Sequence, residues 1–240
     1  MQAPLRVLAY IHSFEPGGVE RVALRLCRAW QRAGAQVSVL IGRTDGAMRA
    51  DAPRLNYVRY SSGPISTAWF ETMWMILCLW RQVRSARPDI IFCAGNSYTV
   101  VAVAVRLLLR GDCPPIVAKV SNSLDRSDMV GPIRFAYRLW LRLQGRQIAC
   151  WVSMAASMRA EIASSMRVPE AEVAVIEDPA LSEREARALA DARDGMPCRS
   201  TAGRLFLSAG RLAPQKRFDL LIRAFARSAA AQDRLVILGE

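Results

Sequence analysis

Histidine is almost absent from this chain, with one residue, His12, among 240. The six cysteines (Cys27, Cys78, Cys93, Cys113, Cys150 and Cys198) include no C-x-x-C pair. With so few soft ligands a zinc site is not expected. Several of the cysteines sit in apolar runs, which fits small core residues kept as reduced thiols in the cytoplasm. Long hydrophobic runs are missing too. The longest, Met73 to Trp80 and Tyr98 to Leu109, fall short of the roughly 20 residues that span a bilayer. Leu5 to Ile11 is apolar but short, and it runs into His12, Glu15 and a glycine pair without a small-residue cleavage site, so no secretory signal is expected. The G-x-G-x-x-G dinucleotide fingerprint is absent. So are RNP, KH and helix-turn-helix patterns, and nucleic acid is not an expected partner.

What the chain has in excess is positive charge. Its formal net charge is +12, nearly all the cations are arginine, and they are scattered rather than blocked. Such a field favours anionic partners, either phosphorylated substrates or an anionic membrane surface. About half the residues are apolar (52%), as in a globular protein. The length suits one large domain or one and a half ordinary ones.

Strand-like and helix-like runs alternate. Leu5 to Ile11 reads as a strand, followed by a helix in which Val22, Leu24, Leu26, Cys27 and Trp30 recur at helical spacing up to Gly34. Strands follow at Ala35 to Ile41, Leu55 to Tyr60, Pro88 to Phe92, Ile116 to Val120, Ile148 to Val152 and Glu172 to Ile176. Helices are expected over Ile65 to Ser85, Tyr98 to Leu109, Ile133 to Leu143 and Ala155 to Met166. This alternation calls for an α/β fold with a mostly parallel, doubly wound sheet. Residues 1–180 make one Rossmann-like domain, 181–203 a helix and linker, and 204–240 the opening strand–helix–strand of a second Rossmann-like domain.

Open α/β sheets bind ligands at the carboxyl ends of their strands. The first such end carries His12 and then Gly17-Gly18 at a helix start, where backbone can approach an anion. A later strand ends in Cys93-Ala94-Gly95-Asn96, and another in Ser121-Asn122 followed by Asp125, Arg126 and Asp128. For His12 two readings stand, a cleft residue touching a ligand or an ordinary hydrogen-bonded loop histidine. The glycine pair likewise stands between a ligand loop and a turn. The aromatic stripe Trp69, Phe70, Trp74, Trp80 is first a core feature. The helix bearing Arg134, Tyr137, Arg138, Trp140, Arg142 and Arg146 either rests on anionic lipid or is an amphipathic surface helix.

One stretch organises the rest. Ser208 to Asp219 follows an apolar strand and precedes the amphipathic run Leu220 to Ala226. Its loop offers a glycine, Gly210, and two cations, Arg211 and Lys216, at a helix N-terminus, a natural anion site. Charge alone also allows a plain solvated loop. The residues Gly210-Arg211-Leu212, Gln215-Lys216, Asp219, Leu221-Ile222 and Ala224-Phe225, however, resemble the signature of the GT4 family (glycosyltransferase group 1), retaining enzymes of GT-B fold. Gly17-Gly18 and Glu20 match that family's x-x-G-G-x-E cleft loop.

The resemblance implies that Arg211 and Lys216, with Gly210, hold the diphosphate of a nucleotide sugar donor. It implies a glycan or lipid-linked acceptor and no cofactor beyond that substrate. His12, Asn96, Ser121 and Asn122 fall on the acceptor side. Two departures stand out. Arg217 occupies a position usually held by glycine, and Asn96-Ser97 replace a loop histidine of many relatives. The family's E-x7-E donor element has no counterpart before Glu240. The 240-residue chain is therefore expected to be a truncated form with little or no transfer activity, peripheral to the inner face of a membrane. The alternative is an inactive half-enzyme that binds a nucleotide, a membrane or a partner.

Overall fold

The computed structural model describes residues 3–61, 70–126, 129–179, 181, 183–193, 203–210 and 212–239. They form two compact units, Met1–Ser182 and Glu183–Glu240. Several sequence candidates lie outside the described residues, namely Arg211, Trp69, Asp128, Cys198, Glu240 and residues 182 and 194–202 of the expected helix and linker.

In the first unit the apolar runs become seven strands: β1 (Arg6–Ile11), β2 (Gln36–Ile41), β3 (Asn56–Arg59), β4 (Ile90–Cys93), β5 (Ile116–Val120), β6 (Cys150–Ser153) and β7 (Val173–Val175). All pair in parallel, in the order β3-β2-β1-β4-β5-β6-β7. Five helices connect them: α1 (Gly18–Arg32), α2 (Glu71–Ala86), α3 (Thr99–Leu109), α4 (Gly131–Gln147) and α5 (Ala156–Met166). This is the doubly wound sheet that the alternation called for.

Side chains leave a strand alternately on its two faces, and β1 shows why its run is continuously apolar. Leu8 and Tyr10 join a core built with α2, α3, α4 and α5. Val7, Ala9 and Ile11 join a second core built with α1. A strand buried on both faces cannot alternate apolar with polar residues.

Two helices depart from their expected bounds. α4 is longer than Ile133 to Leu143, because Pro132 suits a first helical turn and the amphipathic pattern carries on to Gln147. α2 is described from Glu71 onward, and the expected start at Ile65 lies outside the described residues. Of the aromatic stripe, Trp74 and Trp80 pack partly buried against the core, while Phe70 is exposed.

The second unit holds α6 (Glu183–Arg193), β8 (Leu205–Ala209), α7 (Phe218–Ser228) and β9 (Arg234–Leu238). β8 and β9 pair in parallel, and Phe206 meets Phe225 of α7 edge-on at 5.5 Å between ring centres. Leu205, Leu207, Val236 and Leu238 are all exposed. A two-stranded sheet with so little buried apolar surface is poorly supported by itself.

Candidate functional site

The strand order reverses between β1 and β4, and the loops that leave the carboxyl ends of these strands diverge there. Into this opening the structure brings His12 after β1, Arg43 after β2, Tyr98 after β4, and Glu20 and Glu71 from the first turns of α1 and α2. The Tyr98 hydroxyl donates to Glu20 Oε1 at 2.5 Å. The Tyr98 hydroxyl oxygen in turn accepts the His12 backbone N–H at 3.5 Å, and the His12 and Tyr98 rings lie 4.7 Å apart. His12 Nδ1 is 3.6 Å from Glu71 Oε1. Arg43 reaches the same carboxylate at 3.3 Å, Glu15 at 3.4 Å and Asp45 at 3.7 Å. His12 Nδ1, Arg43 Nε and Glu71 Oε1 are sealed from solvent without a well-aligned hydrogen bond. Buried polar atoms of this kind ask for a partner.

Burial is the main influence on His12 and holds its pKa below the ordinary value of 6.5; Glu71 and Glu20 oppose that shift and Arg43 adds to it. The imidazole is therefore neutral at neutral pH, with a free lone pair that can take a proton from a hydroxyl. Burial, with the hydrogen bond to Glu20, pushes the Tyr98 hydroxyl far up, so it stays protonated as a donor.

Gly17 caps α1 without a side-chain hydrogen bond. A Cβ at Gly17 would run into the Glu20 carboxylate, and one at Gly95 would meet Val19 at 2.8 Å. Glycine at these two positions lets the α1 start and the β4 loop close on each other. Gly18 faces open space. Because Glu20 occupies the first turn, its charge already answers the positive end of the α1 dipole. This mouth therefore suits hydroxyl groups better than phosphate.

Beside it lies a second polar group. Asn96 Oδ1 accepts the Ser121 N–H at 3.1 Å. Lys119 Nζ, on a side chain only 3% exposed, donates to Ser121 Oγ at 2.8 Å and to Asp178 Oδ2 at 2.9 Å. Asn96 and Ser121 are thus joined directly, and His12 stands near them through Tyr98 of the same β4 loop. Asn122 is an exposed bend residue with no partner in this network among the described residues. Glu71, Arg43 and Tyr98 went unrecognised in the sequence. The rule that ligands meet the carboxyl ends of parallel strands points to Arg43 and Tyr98, but Glu71 carries no local signal at all.

In the second unit the loop after β8 folds back on itself. The Gly210 N–H donates to Leu238 O at 2.9 Å. The Lys216 stem lies over Gly210, its Cε 3.5 Å from where a Cβ would stand. Arg217 holds a left-handed conformation (φ 49, ψ 39) just before α7. That explains why glycine is the natural residue there, since a side chain in this region costs about 1–2 kcal/mol. Lys216 is exposed, and the placement of Arg211 is not described.

A cavity of about 600 Å³ opens in the first unit, with Lys119 and Asp178 in its wall. It lies on the α1 face of the sheet, walled by Val7, Phe92, Val117 and Val152 below and Leu26 and Trp30 of α1 beside it. Among the described residues α1 is the one helix packed on that face, too little to cover the span from β1 to β6. No helix among the described residues is long and apolar enough to cross a membrane.

The sequence matches the profile of Glycosyltransferase Family 4 over residues 16–179. Among curated protein sequences none matches. Solved structures do. The Anabaena HepE protein in complex with UDP and glucose superposes with a TM-score of 0.65 at 14% identity, over 97% of this chain and 60% of that one. The lipopolysaccharide outer core galactosyltransferase WaaB superposes at 0.59 with 16% identity, over 96% and 59% of the two chains. The UDP-GlcNAc 2-epimerase of Neisseria meningitidis superposes at 0.58 with 11% identity, over 96% and 65%. The fold is that of the GT-B glycosyltransferases, and the chain spans about 60% of the length of the first of these structures.

Proposed function

Because the chain belongs to Glycosyltransferase Family 4, we propose that it is the acceptor-side domain and the opening of the donor domain of a glycosyltransferase. The reaction moves a sugar from a nucleotide diphosphate sugar to a glycan or lipid-linked acceptor, with retention. The observation that carries the reading is the β8–α7 loop, where Lys216 folds over Gly210 at a strand end. The UDP and UDP-glucose bound by HepE are consistent with such a donor.

In this scheme Lys216 and Arg211 face the diphosphate and neutralise the charge that builds up as it leaves. Preorganised cations of this kind act where charge develops in the transition state. His12, Asn96 and Ser121 contact the acceptor. His12, neutral through burial, accepts a hydrogen bond from an acceptor hydroxyl, and Glu71 holds its ring. The alternative is a chain that binds the nucleotide without transferring sugar, which the exposed sheet of the second unit favours.

The test is calorimetric titration of the 240-residue chain with UDP, GDP and ADP, repeated on Lys216→Ala. Affinity for one of the three, lost in the variant with an unchanged circular dichroism spectrum, is the expected result. Equal affinity in the variant, or no binding of any of the three, would refute the donor site in this chain. Release of free sugar or of nucleotide from the matching sugar donor then separates a transferase from a binding module.

A further inference from the structure

His12 is held from several sides at once. Its carbonyl oxygen accepts from the Arg43 N–H at 2.8 Å, its own N–H reaches the Tyr98 hydroxyl, and its ring lies against the Tyr98 ring. Gly42 lets the end of β2 come this close, since a Cβ there would stand 2.9 Å from the His12 carbonyl oxygen and 2.7 Å from Met75 Sδ. The side chain is still 22% exposed, although Nδ1 is sealed from solvent. Nε2 is not sealed, and it has no hydrogen-bond partner among the described residues. One ring nitrogen is thus turned inward and the other is left open.

The sealed side decides which nitrogen carries the proton. Nδ1 faces Glu71 Oε1 at 3.6 Å, too long for a hydrogen bond. Both atoms are shut off from bulk water, so the charge between them is weakly screened. A bare Nδ1 would aim its lone pair at a carboxylate oxygen, whereas Nδ1–H aims a positive end there. The environment of one ring nitrogen fixes the state of the other. Arg43 keeps the carboxylate in place, with its Nε 3.3 Å from the same oxygen. Glu15 and Asp45, both well exposed, hold the guanidinium from the outside. From α1, Glu20 engages the Tyr98 hydroxyl that lies beneath His12.

We propose that Glu71 and Arg43 are positioning residues that fix His12 as its Nδ1–H tautomer, leaving a bare Nε2 that accepts a hydrogen bond from an uncharged sugar hydroxyl and cannot donate one to a phosphate. The lone pair and the surrounding carboxylates both disfavour an anion at this edge. That the hydroxyl belongs to a sugar acceptor rests on the transferase reading, whereas the tautomer rests on the geometry alone.

Because the chain has a single histidine, nitrogen-15 NMR of the imidazole above its midpoint shows directly which nitrogen is protonated. In the parent, Nδ1 is expected to carry the proton and Nε2 to be bare. Glu71→Gln keeps that tautomer, since the amide oxygen can still face Nδ1. Glu71→Leu moves the population toward Nε2–H, the form favoured in free neutral histidine. Arg43→Gln raises the His12 midpoint, because a neighbouring cation no longer opposes protonation. A tryptophan fluorescence melt confirms that each variant folds. An Nε2–H parent overturns the inference, and so does a folded Glu71→Leu with the parent's tautomer. If Glu71→Leu does not fold, the parent spectrum and the Arg43→Gln midpoint decide, and a midpoint that fails to rise removes Arg43 from the scheme. Nucleotide titration of Lys216→Ala reads the donor loop instead, so the two readings can fail separately.

Discussion

Replacing Asp178 with alanine tests the electrostatics beside the cleft most directly. Lys119 sits on the interior strand β5 with its side chain 3% exposed, and its charge is answered by Asp178 at 2.9 Å. Without Asp178 the ammonium keeps one neutral partner, Ser121 Oγ at 2.8 Å. Stranding a buried charge in this way costs about 3–5 kcal/mol. Asp178 is itself 25% exposed, so water can reach the emptied position and the lower figure applies, about 3 kcal/mol. For a unit the size of Met1–Ser182, that corresponds to a fall in melting temperature of roughly 6–12 °C. All six tryptophans precede residue 152, so tryptophan fluorescence reports the first unit alone. Lys119→Met should cost less, because the remaining carboxylate is the more exposed partner. The double variant should recover most of the loss, since both charges are then gone. A melt of Asp178→Ala superimposable on the parent, or a double variant no more stable than Asp178→Ala, would refute the reasoning.

Because His12 is the only histidine, its imidazole proton resonance can be followed alone by NMR. A midpoint below 6.5 is expected, since burial outweighs the two carboxylates. The unfolded chain then takes up the proton first, so His12 contributes stability that is complete above about pH 6.5 and declines as pH falls from there toward its folded pKa. A midpoint at or above 6.5 would mean that Glu71 and Glu20 dominate instead. Gly145→Ala offers a test of sign. Helix propensity alone would stabilise α4 by roughly 0.5–1 kcal/mol, but the new methyl group would collide with the Met166 carbonyl at the end of α5. A net loss of about 1–3 kcal/mol in a denaturant melt is therefore expected.

Much of the fold was legible because it is local. Largely apolar runs such as Leu5 to Ile11 read as buried strands, and the helical spacing of Leu24, Cys27 and their neighbours read as a helix. The signature around Lys216 was legible for the same reason. Its residues are close in sequence and their spacing is set by one strand, one turn and one helix. Even the oddity of Arg217 was visible, although only its left-handed backbone supplies the cause. The cleft was legible in part. His12, Gly17 and Ser121 stand at strand ends, where the parallel sheet must present its ligands. Their partners were not legible. Glu71 comes from the start of α2, 59 residues after His12, and Asp178 lies the same distance past Lys119. Arg126, Arg134, Arg138 and Arg142 likewise meet Arg167 around one cavity between α4 and α5.

The sequence by itself determined which segments form strands, which faces of the helices are apolar, and that a cationic loop follows the first strand of the second unit. Only the tertiary structure decided which distant charges meet. Strand and helix periodicity follow from the geometry of a few consecutive residues. Contacts between loops depend on strand order and on helices packing over the sheet, which no short window of sequence contains.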